Sequence, residues 1–313
     1  AITLTLTPQQ VVAKKSDLLG RYSNHVARNT RAVVRSAIGG VLAGHFSNAG
    51  WQVQATTRRR DQVDERHPYL DLTAPTALPP ADVVILSAAV ARIGECENDP
   101  TSSHAINVDG TLAVARQMAG QGAHVVLLST DKVFDGRVAK RDRNAQPCPT
   151  CAYGRQKAAA EAGILDLGDR GAVLRLSKVL APGNELLAGW AKALAAGQTF
   201  APFDDLYLAP VTVGLVAELA IRIAGERANG IFHCTGAEDQ NYVDLARILV
   251  AERGGVEALI QPISCRDANM PAAARPRHTS LEMNLERDLW GIVAPEFDAT
   301  ARAIISADNT SLT

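Results

Sequence analysis

Aromatic side chains make up only 4% of the 313 residues, and an excess of charge of either sign is missing, since 32 basic against 33 acidic residues leave −1. Without a basic surplus or aromatics interleaved among cations, the chain does not read as a nucleic-acid binder. No apolar run approaches the roughly 18 residues that a membrane-crossing helix needs. No secretory signal is visible either. Cysteine is sparse and odd in number; Cys96, Cys148, Cys151, Cys234 and Cys265 do not make a secreted disulfide framework. Cys148-Pro-Thr-Cys151 is a lone CxxC. Zinc needs two further ligands and no second CxxC exists, so no metal is expected. The pair reads as incidental to a Pro-bearing loop, with a redox couple as the alternative.

What is present is apolar and small: 47% of residues are hydrophobic, with much Ala, Val and Leu, which suits helices packed closely on a sheet. Strands are expected at Ala32–Val34, Trp51–Thr56, Tyr69–Leu72, Asp82–Ala89 and Val125–Thr130, separated by helices over Ile38–Ala49 and Ser103–Gly120. Alternation of this kind implies an α/β fold with a doubly wound parallel sheet, and the unbroken apolar strands require cover on both faces. A further strand starts at Gly171. Beyond residue 182 the pattern changes to helices at Leu186–Ala196, Val211–Ala224 and Tyr242–Arg253, a strand at Gly230–Gly236 and a polar Arg- and Pro-rich loop at Ala272–Asn284. The expected division is an N-terminal extension (1–31), a dinucleotide-binding Rossmann domain (32–182) and a smaller substrate lobe (183–313).

The chemistry concentrates around Tyr153-Gly-Arg-Gln-Lys157. On a helix, Tyr153 and Lys157 share a face about one turn apart. Upstream, Val125-Val-Leu-Leu-Ser-Thr130 is a strand that ends in two hydroxyls, Ser129 and Thr130. A phenol is a proton donor with a free pKa near 10. A neighbouring ammonium lowers that value, and a hydroxyl orients a carbonyl oxygen to receive the proton.

A doubly wound sheet with such a pair predicts a dinucleotide on a Gly-rich turn after the first strand. Here that turn is Val33-Val-Arg-Ser-Ala-Ile-Gly-Gly40, where Gly39 fits the last glycine. Arg35 and Ser36 stand near the places of the earlier ones, where the backbone must turn tightly towards phosphate. Arg35, Ser36, Ile38 and Gly39 are therefore the expected phosphate-turn contacts. The second strand ends in Arg58-Arg-Arg60 rather than an acid, which favours a 2′-phosphate, so NADP(H) is expected and NAD(H) is the alternative. Asp71 and Leu72 end the third strand, where adenine contacts lie. Ala88 and Ala89 end the fourth, where small side chains let a cofactor pass.

Together these residues resemble the extended short-chain dehydrogenase/reductases, and among them the dTDP-4-dehydrorhamnose reductase-like group of sugar-nucleotide reductases. The resemblance spans roughly residues 32–300. It rests on Leu86-Ser-Ala-Ala89, Ala105-Ile-Asn-Val-Asp-Gly-Thr111, Leu128-Ser-Thr-Asp-Lys-Val-Phe-Asp-Gly136, Tyr153-Gly-Arg-Gln-Lys157, Leu174-Arg-Leu-Ser-Lys-Val179 and Ala274-Arg-Pro-Arg-His-Thr-Ser280. It implies a catalytic set of Thr130, Tyr153 and Lys157, with Lys157 also holding the nicotinamide ribose. It further implies that Asn107 supports the lysine through water and that Val179 gives a backbone contact near the nicotinamide. The expected activity is reduction, or epimerisation, of a nucleotide-linked keto-sugar. Membership of the superfamily makes a homodimer and a cytoplasmic location the expectation.

Three departures stand out. Lys132 replaces the group's usual Tyr and becomes a candidate contact for an anionic substrate group or a solvated side chain. Arg92 stands where the group carries acids and becomes a candidate substrate contact. The glycine turn is altered and residues 1–31 are foreign and basic. The last departure supports the alternative, a non-catalytic subunit of this fold that docks a partner through its N-terminal arm. An ordered arm and an organellar targeting segment are the two further readings of that stretch.

Overall fold

The computed structural model describes residues 2–4, 30–33, 37–181 and 183–310. In chain order the elements begin with β1 (Ile2–Leu4), β2 (Thr30–Val33), α1 (Ala37–Asn48), β3 (Gln54–Thr56) and β4 (Val83–Leu86). Then come α2 (Ile93–Asn98), α3 (Pro100–His104), a π-helical stretch (Ala105–Gly110), α4 (Thr111–Gly120), β5 (His124–Thr130) and α5 (Ala152–Leu165). The remainder is β6 (Gly171–Leu176), β7 (Lys178–Leu180), α6 (Glu185–Ala195), β8 (Tyr207–Leu208), β9 (Pro210–Thr212), α7 (Val213–Glu226), β10 (Gly230–Cys234), β11 (Gln240–Asn241), α8 (Tyr242–Arg253), α9 (Asn284–Trp290) and α10 (Phe297–Thr310).

Among the described residues, seven strands form one sheet in the order β10-β6-β5-β4-β1-β2-β3. β2 and β3 pair in parallel, as do β4 and β5. The chain winds outward from β2 to β3 on one side and from β4 through β5 and β6 to β10 on the other, the doubly wound pattern expected from the sequence. β1 is the unforeseen strand: it lies between β2 and β4, antiparallel to both, with Ile2 opposite Ala32 and Ile85.

Other differences have local causes. The strand expected over Trp51–Thr56 is reduced to a single bridge at Trp51 and the ladder of β3, and Trp51 packs edge-on against Phe46 at 5.8 Å. The third strand shrinks to a bridge between Thr57 and Tyr69, because Asp71 folds the chain into a turn by accepting from the Thr73 N–H and hydroxyl. The single helix expected over Ser103–Gly120 is three pieces. Asp99 caps α3 with Pro100 at its first position, and the π turn then inserts before α4.

Two compact units result, each made of several segments. The first contains Ala1–Ser129, Gln156–Leu174 and Ala217–Ile231; the second contains Thr130–Arg155, Arg175–Val216 and Phe232–Thr313. The first unit's core joins Val84, Leu86, Val125 and Leu127 of the sheet to Val108, Leu112, Ala115 and Met118 below and to Ala160 and Ile164 of α5. Every residue of β5 is buried, so the strand has no solvent face. The second unit's core gathers Trp190, Phe200, Tyr242, Leu249, Phe297 and Ile304. Its helices carry clear punctuation: Asn184 caps α6, Asn241 caps α8, and Gly254 ends α8 at φ 66°. No described helix is long and apolar enough to cross a membrane.

Candidate active site

In the first unit, a cleft of about 100 Å³ is lined by Thr56, Thr57, Arg58, Leu70, Asp71, Leu72, Ala88, Ala89, Val90 and Ile106. Five residues that the sequence nominates for a cofactor, from three separate strand ends, thus converge on one concavity. Arg58 is exposed at its rim. Arg60 lies over the Tyr69 ring at 4.7 Å instead. The two hydrogen bonds from Thr73 hold Asp71 below the ordinary carboxylate range, with Arg58 and Arg60 adding to the effect. Leu72 comes close because Gly110 has no side chain: a Cβ there would overlap the Leu72 carbonyl. The cationic rim suits a phosphate, and the small-residue wall leaves room for a dinucleotide.

Asn107, on the π stretch, is buried and braces that wall. Its Oδ1 accepts from the Val90 N–H at 2.8 Å and its Nδ2 donates to the Val90 carbonyl at 2.9 Å. Lys157 on α5 is fully buried and donates to the Leu128 carbonyl at 2.7 Å. Burial pushes its ammonium down to about 8, against the pull of Glu161. Ser129, one of the two hydroxyls at the end of β5, is committed to Glu161 at 2.5 Å. Arg92 is solvent-exposed and pairs with Glu95 at 3.3 Å, outside the residues lining the cleft.

In the second unit, Thr130 closes β5 and is nearly buried. Its hydroxyl donates to Asp131 Oδ1 at 3.0 Å and accepts from the Lys132 N–H at 3.2 Å. Lys132 is ion-paired to Asp131 at 2.7 Å, so its ammonium is neither free nor simply solvated. Tyr153 is half-buried in the first turn of α5. Gly154 explains how that turn reaches the end of β5: a Cβ at this position would overlap the Lys132 carbonyl and press on Pro149. Gly154→Ala is therefore expected to push the helix start away and lower kcat by about 10²-fold for a displacement near 1 Å, checked by steady-state rates beside a far-UV spectrum that stays native. Cys148 and Cys151 are free thiols; Cys151 accepts from the Gly154 N–H at 3.4 Å, and Arg141 donates to Cys148 at 3.5 Å. Val179 is half-buried on β7 opposite Val211 of β9.

The segment from Ala274 to Ser280 is tied down by a residue the sequence did not single out. The Asp239 carboxylate accepts from the N–H groups of Thr279 and Ser280 at 2.6 and 3.0 Å and from the Ser280 hydroxyl at 2.6 Å. The N–H groups of Arg277 and His278 in turn donate to the Gly136 carbonyl at 3.2 and 2.9 Å. Gly136 sits at φ 69° with Pro276 where a Cβ would project, so only glycine fits. Ile38 and Gly39 open α1, with Gly39 buried. Arg35 and Ser36, like most of residues 1–31, lie outside the described residues.

Comparison with known proteins agrees with this layout. Residues 34–309 match the family described as RmlD substrate binding domain. A protein named probable low-salt glycan biosynthesis reductase, from Haloferax volcanii, is 29% identical over 72% of this chain and 77% of its own. A dTDP-4-dehydrorhamnose reductase of Sinorhizobium fredii is 27% identical over 72% of this chain and 80% of its own. The crystal structure of dTDP-4-dehydrorhamnose reductase from Bacillus anthracis in complex with NADP superposes with a TM-score of 0.76 at 18% identity, covering 88% of this chain and 98% of that one. The family match covers nearly the whole chain, which belongs to the RmlD substrate binding domain family and is thereby an NAD(P)-dependent oxidoreductase of the extended short-chain dehydrogenase/reductase type.

Proposed function

We propose that the protein reduces the keto group of a nucleotide-linked sugar with NADPH, and that Tyr153 delivers the proton. What carries the reading is α5, which follows the Thr130-ended strand β5 and presents Tyr153 and Lys157 one turn apart in a chain of this family. The relatives' names supply the substrate class, a dTDP-linked 4-keto sugar. The NADP complex of the Bacillus anthracis relative supports the cofactor, and the cleft with Arg58 at its rim suits it. Arg58 would meet the 2′-phosphate, Asp71 and Leu72 the adenosine, and Ala88 and Ala89 the path of the dinucleotide. Bound there, the nicotinamide supplies the hydride. The chain's own part is to orient the carbonyl oxygen with the Thr130 hydroxyl, which must turn from Asp131 to the substrate to do so, to protonate that oxygen from Tyr153 Oη, and to keep a positive charge near that phenol with Lys157.

Mixing the protein with NADPH and dTDP-4-dehydrorhamnose tests the reading directly. One NADPH consumed per sugar reduced is the expected result. Interconversion of a sugar nucleotide with no net NADPH loss would make it an epimerase. Tight NADPH binding with no turnover would leave the non-catalytic reading. For the cofactor, Arg58→Ala is expected to raise the Kd for NADPH about tenfold and leave NADH within about twofold, measured by nicotinamide fluorescence.

A further inference from the structure

Gln156 stands just before Lys157 on α5 and is only 4% exposed. A buried carboxamide must find partners for both its ends, so those partners reveal what it holds. Its Nε2 donates to the Pro100 carbonyl at 3.2 Å and to the Ser103 hydroxyl at 2.8 Å. Its Oε1 accepts from Asn107 Nδ2 at 2.7 Å. The Pro100 carbonyl can only accept, which fixes the nitrogen end of Gln156 towards α3 and its oxygen towards Asn107. That oxygen can only accept as well, so Asn107 must turn its nitrogen to it. The Asn107 oxygen is then left facing the Val90 N–H, while the second Nδ2 hydrogen reaches the Val90 carbonyl. Each orientation dictates the next, from a carbonyl on α3 to a backbone segment of the cleft. Val90 lines that cleft beside Ala88 and Ala89.

We infer that Gln156 is a positioning residue: by orienting the Asn107 amide it holds the Ala88–Val90 wall of the dinucleotide cleft and locks that wall to the helix of Lys157. The functional half of the inference rests on the cofactor reading above; the positional half does not. An unlocked wall lets the Asn107 amide rotate, which puts an N–H opposite the Val90 N–H and an oxygen opposite the Val90 carbonyl and breaks both bonds together. The cleft then loses its shape on the side where the small alanines lie, and dinucleotide affinity falls. Gln156 serves no reacting atom, so it acts only through Asn107.

The test uses Gln156→Met, which keeps the volume and removes all three hydrogen bonds. Hydrogen exchange at the Val90 amide is expected to quicken at least about tenfold under native conditions, and the Kd for NADPH to rise about tenfold, with kcat at saturating NADPH changing less. Gln156→Glu is the second variant. Its carboxyl, once protonated, can again donate to Pro100 and accept from Asn107, so its NADPH affinity is expected to recover as pH is lowered while that of Gln156→Met does not. A merely structural role would lower the melting temperature and leave Val90 exchange and NADPH affinity unchanged, and that result would overturn the inference, as would Gln156→Glu showing no recovery. Wild-type protein that binds no NADPH would sink the cofactor reading instead, and the exchange measurement would still decide whether Gln156 holds Val90.

Discussion

Tyr153→Phe is expected to lower kcat about 10²–10⁴-fold while leaving the Kd for NADPH within about twofold. On the proposed role, removal of one oxygen deletes the proton donor and nothing else that the reaction needs. The half-buried ring stays in place on α5, so folding is little disturbed. The pH profile supplies a second signature. Burial, opposed by Glu161, brings Lys157 down to about 8. Above that pH the ammonium one helical turn along α5 from Tyr153 is lost, so on the proposed roles the reductive rate of the wild type is expected to fall as pH rises through about 8. The same residue leaves a mark on stability. Its folded pKa lies below the unfolded value of 10.5, so between about 8 and 10.5 the unfolded chain binds more protons than the folded one, and this group's contribution to stability rises with pH across that window. Activity and stability therefore move in opposite directions above pH 8. A rate that fell together with stability would indicate unfolding rather than loss of the Lys157 charge. A Tyr153→Phe variant retaining full turnover would remove Tyr153 from its assigned role.

Much of this was legible in the chain because the signals are short-ranged. Tyr153 and Lys157 are one turn apart whatever else the protein does. The apolar runs Val83–Leu86 and Val125–Leu128 announce covered strands, and β4 and β5 are buried throughout. Arg58, Asp71, Leu72, Ala88 and Ala89, nominated without any contact information, line one cleft. Strand ends of a doubly wound sheet face the same edge, and the cleft lies there. What escaped is what depends on partners far along the chain. Gln156 meets Asn107 across 49 positions. Nothing around it distinguishes a buried amide from a solvated one. β1 has three residues, too few for a period, and acquires meaning only beside Ala32 and Ile85. The π turn within Ser103–Gly120 leaves no trace in hydrophobic spacing. α10 is a different case. Phe297, Ala301, Ile304 and Ile305 are buried at i, i+4, i+7 and i+8, a helical stripe the sequence did contain.

Glu286→Gln is expected to cost about 3 kcal/mol or more of unfolding free energy at neutral pH, measured by urea denaturation, a large share of the stability of a typical domain. Glu286 is completely buried at the start of α9, and its carboxylate takes both Nη atoms of Arg143, at 3.1 and 3.2 Å. It also accepts from the His233 N–H of β10 at 2.8 Å. The amide of Gln has only one oxygen to accept with, so its NH2 must face a guanidinium that is itself only 13% exposed. The pairing is strong because it is enclosed, and for the same reason its rupture leaves a charge in a place where water cannot reach it. The effect extends towards the catalytic helix. The Arg143 carbonyl accepts from Arg175 Nη1 at 3.0 Å, and Arg175, 2% exposed, lays its guanidinium 5.0 Å over the Phe134 ring. Glu286 thus anchors, through half-buried Arg143 and buried Arg175, the stretch of chain that leads from Thr130 to Tyr153. A double variant, Arg143→Met with Glu286→Leu, removes both charges and is expected to recover most of the lost stability. It does so without restoring the hold on the loop, so kcat is expected to stay low while the denaturation midpoint returns. Recovery of both together would mean that the ion pair serves only the fold.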